Sequence, residues 1–244
     1  MLKYQTYYYQ EVTSTNSVLK EKIRFGNASE GTVILAEYQT SGRGRGKNRW
    51  ESEPGKNLLV SILFFPGIMA GRFFLLNEFI SLAIVDAISG FGIDACVKWP
   101  NDVYLKDKKV AGLLIENSIT SQEITQCIAG IGLNLNQRNF PAEIPNPVSL
   151  IHHLDRETER QQFLDILLDK LNQRYGQLKA EKYSGLNTEY NTRLYKLGEQ
   201  ISYFTKDTAL QSGILKEVSE DGKINIQTGQ SEKQFLFGEI ELIL

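Results

Sequence analysis

The chain of 244 residues predicts an α+β fold: a mostly antiparallel sheet backed by helices, followed by a small β-barrel. Three observations carry this expectation. Short β-rich pieces at residues 95–99, 103–105, 110–116 and 123–135 follow one another closely, the middle pair joined by the turn signal KDKK, as in an antiparallel meander. Residues 159–183 place Phe163, Ile166, Leu167, Leu171, Tyr175 and Leu178 at helical spacing, which reads as one long amphipathic helix. From about Tyr195 the pattern changes to ISYF, GILKEV, KINIQ, KQFLF and EIELIL, short strands separated by Gly, Asp and Ser, as a small barrel requires. The domains expected are therefore 1–192 and 193–244.

The other elements follow in order. Residues 7–12 read as a strand, and TSTNS then offers Ser14 or Thr15 to cap a helix that runs to Gly26. The apolar run 32–38 is a buried strand, and 58–65 is another. Residues 72–89 place Phe73, Leu76, Ile80, Ala83 and Ile84 on one side of a helix, which Gly90 and Gly92 end.

Composition excludes several classes. With 41% hydrophobic and 23% charged residues, the chain is neither disordered nor fibrous. Lys and Arg total 27 against 29 Asp and Glu, a net charge of −2, which argues against a globally basic nucleic-acid binder. Cys96 and Cys127 both lie in apolar runs, where buried reduced thiols are expected, and this fits a reducing compartment. The first residues lack the apolar core of a signal peptide, and no run approaches the roughly 18 apolar residues of a membrane span. A cytoplasmic protein without a membrane partner is expected.

Four segments carry chemistry. In SGRGRGKNRW, Gly42, Gly44 and Gly46 let backbone N–H groups converge on an anion, and Arg43, Arg45, Lys47 and Arg49 surround it with positive charge. Such a loop is expected to lack fixed structure alone and to close over a ligand; the same composition would equally serve a solvated basic loop or a nucleic-acid arm. In VKWPNDVYL, Pro100 and Asn101 make a turn that holds Lys98, Asn101 and Asp102 together at a strand end, whether to orient a polar ligand or as a solvated pair. In KKVAGLLIE, Lys109 precedes Ala111 and Gly112, whose small size admits a ligand to the backbone. In GIGLNLN, period two places Asn134 and Asn136 on one face of a strand, where two amides need partners. His152 and His153 have no further ligands at zinc spacing, so no metal site is expected.

Together these four strings, in this order and at this spacing, resemble the biotin protein ligase family, in its short form without an N-terminal DNA-binding domain, over nearly the whole chain. The resemblance implies a fold like that of class II aminoacyl-tRNA synthetases and biotin ligases, with an SH3-like C-terminal barrel. It implies an ATP-dependent ligase that makes biotinyl-5′-AMP and passes biotin to a lysine of a biotin carboxyl carrier protein, as in acetyl-CoA carboxylase, with Mg²⁺ held mainly by the nucleotide. By similarity Ser14, Thr15, Asn16, Gln39, Gly42, Arg43, Gly44, Arg45, Lys109 and Gly112 would bind biotin. Arg43, Arg45, Trp50, Asn101, Asn134 and Asn136 would bind ATP. Arg45, Lys109, Asp102 and Lys98 would carry the chemistry. The chain opens directly on the catalytic module, so DNA binding is not expected, whereas a homodimer is open. A lipoate ligase and a nucleic-acid-binding module are the rival readings.

Overall fold

The computed structural model of the protein describes residues 2–46, 48–154, 156–205 and 210–243. The chain opens with strand β1 (Gln5–Val12), helix α1 (Thr15–Arg24) and strand β2 (Thr32–Gln39). Strands β3 (Leu58–Phe64) and β4 (Ile68–Met69) precede helix α2 (Phe74–Ser89). Then come β5 (Cys96–Lys98), β6 (Asp102–Leu105), β7 (Lys108–Thr120) and β8 (Glu123–Leu133), the meander expected from the sequence. Helices α3 (Arg160–Lys179) and α4 (Tyr183–Thr192) lead to β9 (Gln200–Thr205), β10 (Leu210–Val218), β11 (Ile224–Thr228), β12 (Ser231–Phe235) and β13 (Ile240–Ile243).

The first sheet runs β1-β2-β3-β8-β7-β6-β5, with β4 beside β8. It is mixed: β1 and β2 are parallel, joined across α1, and every other pair is antiparallel. Strand β2 is a continuous apolar run because both faces of the sheet are covered. Val33, Leu35, Ile62 and Phe64 point into the main core with α2 and α3, while Ile34, Leu63 and Ile128 pack on Leu19 of α1. Layers on both sides also explain why α2 departs from its expected one-sided pattern. It is buried nearly all round, between the sheet and α3 and α4, and Phe73 falls outside it, partly exposed.

Two further expectations are corrected. The helix expected over 159–183 is α3, which ends at Lys179, four residues early, where Glu181 takes a φ of +55°; α4, which begins at Tyr183, is a further helix that the sequence reading did not expect. Strand β8 ends at Leu133, so Asn134 and Asn136 do not share a strand face.

The second sheet, β12-β11-β10-β9-β13, is wholly antiparallel and consistent with a small barrel. It is fastened to the first unit by polar contacts. The Trp99 indole N–H donates to the Gly222 carbonyl at 3.0 Å, and Asn187 and Asn191 of α4 both donate to the Val218 carbonyl. Asn187 also donates to the fully buried Glu78 of α2 at 2.7 Å. Burial is the main reason the Glu78 carboxyl is pushed up to about 8, and the Asn187 hydrogen bond only partly opposes it. Below its ordinary carboxylate range Glu78 is protonated in both folded and unfolded chains. As pH rises through 4.5 toward 8 only the unfolded chain releases the proton, so stability falls with pH. Over that window the slope approaches about 1.4 kcal/mol per pH unit. Glu78→Gln keeps an acceptor for Asn187 and removes the titration. Its thermal melting curves should therefore lose this decline between pH 5 and 8 while the parent protein keeps it.

Candidate active site

The cleft lies on the α1 side of the first sheet, over the β7–β8 pair. Cross-strand partners share a face of the sheet, and the register places Gly112 opposite Gly132, and Leu114 opposite Gly130. Gly130 in turn faces Ser61, and Gly112 faces Asp102. Three glycines in these rows make a floor without side chains. A Cβ at Gly130 would stand 2.4 Å from Asn16 Oδ1, and one at Gly132 would stand 2.4 Å from the Trp50 ring. The space is occupied by the Asn16 and Trp50 side chains, and beside them lies a cleft of about 380 Å³.

One end of the cleft is a polar pocket at the start of α1. Ser14 holds the N-cap position but its side chain makes no capping bond, so the expected capping role does not take up its hydroxyl. Ser14, Thr15 and Asn16 are all buried. The Gln39 carbonyl oxygen accepts from the Thr15 backbone N–H at 2.8 Å and from the Thr15 hydroxyl at 3.1 Å, which turns its amide nitrogen toward Gly42. Asn16 donates through Nδ2 to Glu116 at 2.7 Å and to the Leu114 carbonyl, leaving Oδ1 as the acceptor, where Ser61 joins it. Donors and acceptors thus alternate along this end of the cleft, the arrangement that a urea or amide group requires.

The glycine-arginine segment lies over the cleft as a lid. Its described residues pair as a hairpin: Trp50 N–H donates to the Gly42 carbonyl at 3.0 Å, Gly44 N–H to the Asn48 carbonyl, and Arg43 pairs with Arg49. Gly42 is required where the strands cross, since its Cβ would lie 2.2 Å from the Trp50 carbonyl. Lys47, expected to add charge here, lies outside the described residues. The cations fan apart. Arg43 reaches Glu116 at 3.1 Å, while the Arg45 guanidinium lies over the ring of Phe237, which follows β12. Burial lowers the Arg45 pKa to about 10, against the opposing pull of Asp102, and leaves it a cation at neutral pH.

At the other end, Lys109 Nζ sits 2.7 Å from Asp102 Oδ1, a close ion pair whose angles fall short of a hydrogen bond. The same amine lies 5.7 Å from the centre of the Trp50 ring. Asn101 lines the cleft, but its amide is tied to the Leu113 carbonyl at 2.7 Å. Lys98 does not line the cleft; it pairs with Asp102 in register and its amine lies 3.4 Å from the Tyr104 hydroxyl. Burial pulls its pKa down, with Asp102 opposing.

Past Trp50 and Lys109 the cleft continues into a depression of about 330 Å³ lined by Asn134, Phe140, Ile144, Pro145 and Pro147. Asn134 donates to the Val148 carbonyl, and its buried Oδ1 finds no partner among the described residues. Asn136 is elsewhere: both ends of its amide bond the Thr158 backbone, at 2.8 Å each. Sequence reading missed Phe237, Glu116, Ser61 and the proline-marked wall. Only the wall carried a signal, the prolines at 141, 145 and 147 that mark a loop after β8.

A family model described as the Biotin/lipoate A/B protein ligase family matches residues 8–134. The chain belongs to the biotin/lipoate A/B protein ligase family. Among named relatives, a biotin--[acetyl-CoA-carboxylase] ligase of Paracoccus denitrificans is 29% identical over 91% of this chain and 95% of its own. The bifunctional ligase/repressor BirA of Bacillus subtilis is 26% identical over 96% of this chain and 73% of its own. Among solved structures, a biotin protein ligase from Aquifex aeolicus in complex with biotin and ATP superposes with a TM-score of 0.83, at 30% identity over 98% of both chains.

In this member of the ligase family, Gly132→Ala should drive the Trp50 ring off the cleft floor. With Trp99→Phe as background, so that Trp50 alone emits, the fluorescence maximum should move to longer wavelength. An unmoved maximum would show that the ring does not rest on Gly132.

Proposed function

We propose that the protein is an AMP-forming ligase that activates biotin as biotinyl-5′-AMP and transfers it to a lysine of a biotin carboxyl carrier protein. The observation that carries this reading is one continuous cleft: a urea-matched pocket at Ser14, Thr15, Asn16 and Gln39, cations at its middle, and beyond Trp50 a depression walled by Phe140, Ile144, Pro145 and Pro147 with Glu51 and Glu143 at its edge. Biotin's ring head would sit in the first, its acyl tail on the glycine floor, and adenine in the last, against Trp50 and the wall of Pro145 and Pro147. The family match and the named biotin ligases among its relatives support it.

In the first step a biotin carboxylate oxygen attacks the α-phosphorus of ATP, and the bond to pyrophosphate breaks. Both reactants are anions. Lys109 and Arg45 would offset their repulsion and the charge that develops between them, worth most in a site shielded from water. Lys98 would act through Asp102 rather than on the phosphate directly. In the second step the carrier's lysine nitrogen attacks the biotinyl carbonyl carbon, AMP leaves, and the nitrogen loses a proton. Asp102 lines the cleft beside Lys109 and would orient that amine. Mg²⁺ would arrive on the triphosphate: no group of three or more His, Cys, Asp or Glu forms a metal site among the described residues, so the nucleotide oxygens would be its main ligands.

Other parts of the reading stand beside this. We place the domain division at 192/193, with an SH3-like barrel after it. A cytoplasmic location fits the two unpaired cysteines, and among the described residues no helix is long and apolar enough to cross a membrane. The outer edge of β1 pairs with no strand among the described residues, which leaves room for a carrier domain or a second subunit to add a strand. The rival reading as a basic nucleic-acid arm loses ground because Arg45 lies over Phe237 and Arg43, though exposed, is paired with Glu116.

Incubated with ATP and radiolabelled pyrophosphate, the protein should return label to ATP when biotin is added and not when lipoate is. Exchange driven by lipoate alone would overturn the assignment. Arg45→Gly should release the adenylate, so that lysines of an added unrelated protein become biotinylated, because the lid no longer shields the anhydride.

A further inference from the structure

Glu116, at the far end of the KVAGLLIE string, has no part in the roles assigned above. Its carboxylate is three-quarters buried and accepts from three directions. Lys20 donates to Oε1 at 2.7 Å, and Asn16 and Arg43 both donate to Oε2, at 2.7 and 3.1 Å. Burial would raise its pKa, but hydrogen bonds from Lys20 and Asn16 and the charge of Arg43 outweigh burial and hold it below the usual range. It is therefore an ionised, acceptor-only group at neutral pH.

The three partners come from different parts of the machinery. Asn16 belongs to the urea-matched pocket, Arg43 to the lid hairpin, and Lys20 to the next turn of α1. Because Glu116 can only accept, it must face the nitrogen end of the Asn16 amide. That fixes Oδ1 as the end turned toward Ser61 and the Gly130 floor. The same oxygen holds the Arg43 guanidinium. The Arg43 side chain is 41% exposed, so this bond is weak enough to break and reform as the lid moves.

We propose that Glu116 is a positioning residue that sets the orientation of the Asn16 amide and latches the lid through Arg43, so that occupation of the biotin-head pocket and retention of the adenylate are linked at one carboxylate. This rests on the biotin ligase reading. It goes beyond it in assigning specificity and retention to a residue that touches neither reacting atom.

The test uses the full chain and measures biotin-dependent pyrophosphate exchange, together with biotinylation of an added protein that is not a carrier. Glu116→Gln keeps the size of the side chain but loses its charge and presents a donor where only acceptors fit. It should raise the biotin KM about tenfold, the size of one charge-assisted hydrogen bond, with kcat of exchange within about twofold of the parent. Stray biotinylation should rise by a similar factor. Arg43→Met, a change at the exposed end of the latch, should raise stray biotinylation as well, and the double variant should leak no more than the stronger single one. A KM unchanged in Glu116→Gln, or leaks that multiply in the double variant, would overturn the proposal. Absence of biotin-dependent exchange in the unsubstituted chain would instead defeat the parent reading.

Discussion

The site depends on the absence of side chains at three positions on one face of a strand pair. Gly112, Gly130 and Gly132 lie where β7 and β8 run side by side, and their missing Cβ atoms let Trp50 and Asn16 come down onto the backbone. A sheet with ordinary residues there would lift both side chains away by more than an ångström. Everything else follows from that floor: the indole separates the proline-walled depression from the pocket at the start of α1, and the lid hairpin is tied to the strand below by the side chains that descend from it. Glycine within a strand weakens the strand locally. Here the strand is central, with partners on both sides and ladders running its length, and these offset the loss.

Charge placement within the cleft follows from the lid. Had Arg43 and Arg45 both faced the solvent, the segment would be a basic arm. Instead each has an acceptor or ring on a different wall, and the hairpin between them has a defined path. Lys109 completes the set from below, beside Asp102. The negative overall charge of the chain is thus compatible with a strongly cationic interior to one cleft.

The sequence showed the elements better than their relations. The meander, the start of α1 and the five late strands were legible because each depends on neighbours within about ten residues. Most of the polar pocket was legible too, through strings whose residue types and spacing resemble a known family. Asn136 was misassigned because its partner, Thr158, lies 22 residues on and across a loop. Glu116 and Phe237 were missed for the same reason: a carboxylate at a strand end and an aromatic near the terminus look ordinary until the fold brings Asn16 and Arg45 to them. The early end of α3 escaped because Glu181 takes a left-handed conformation without the glycine that usually signals it, and α4 beyond it was not expected at all.

The resting place of Arg45 carries a consequence for how the protein is made. Phe237, beneath that guanidinium, lies 192 residues further along the chain (237 minus 45). On the ribosome the hairpin emerges first, and it waits for that whole intervening stretch before its aromatic support exists. Translation that stopped early would release a molecule with its strand meander and helices complete, yet with an arginine unsupported at the mouth of the cleft.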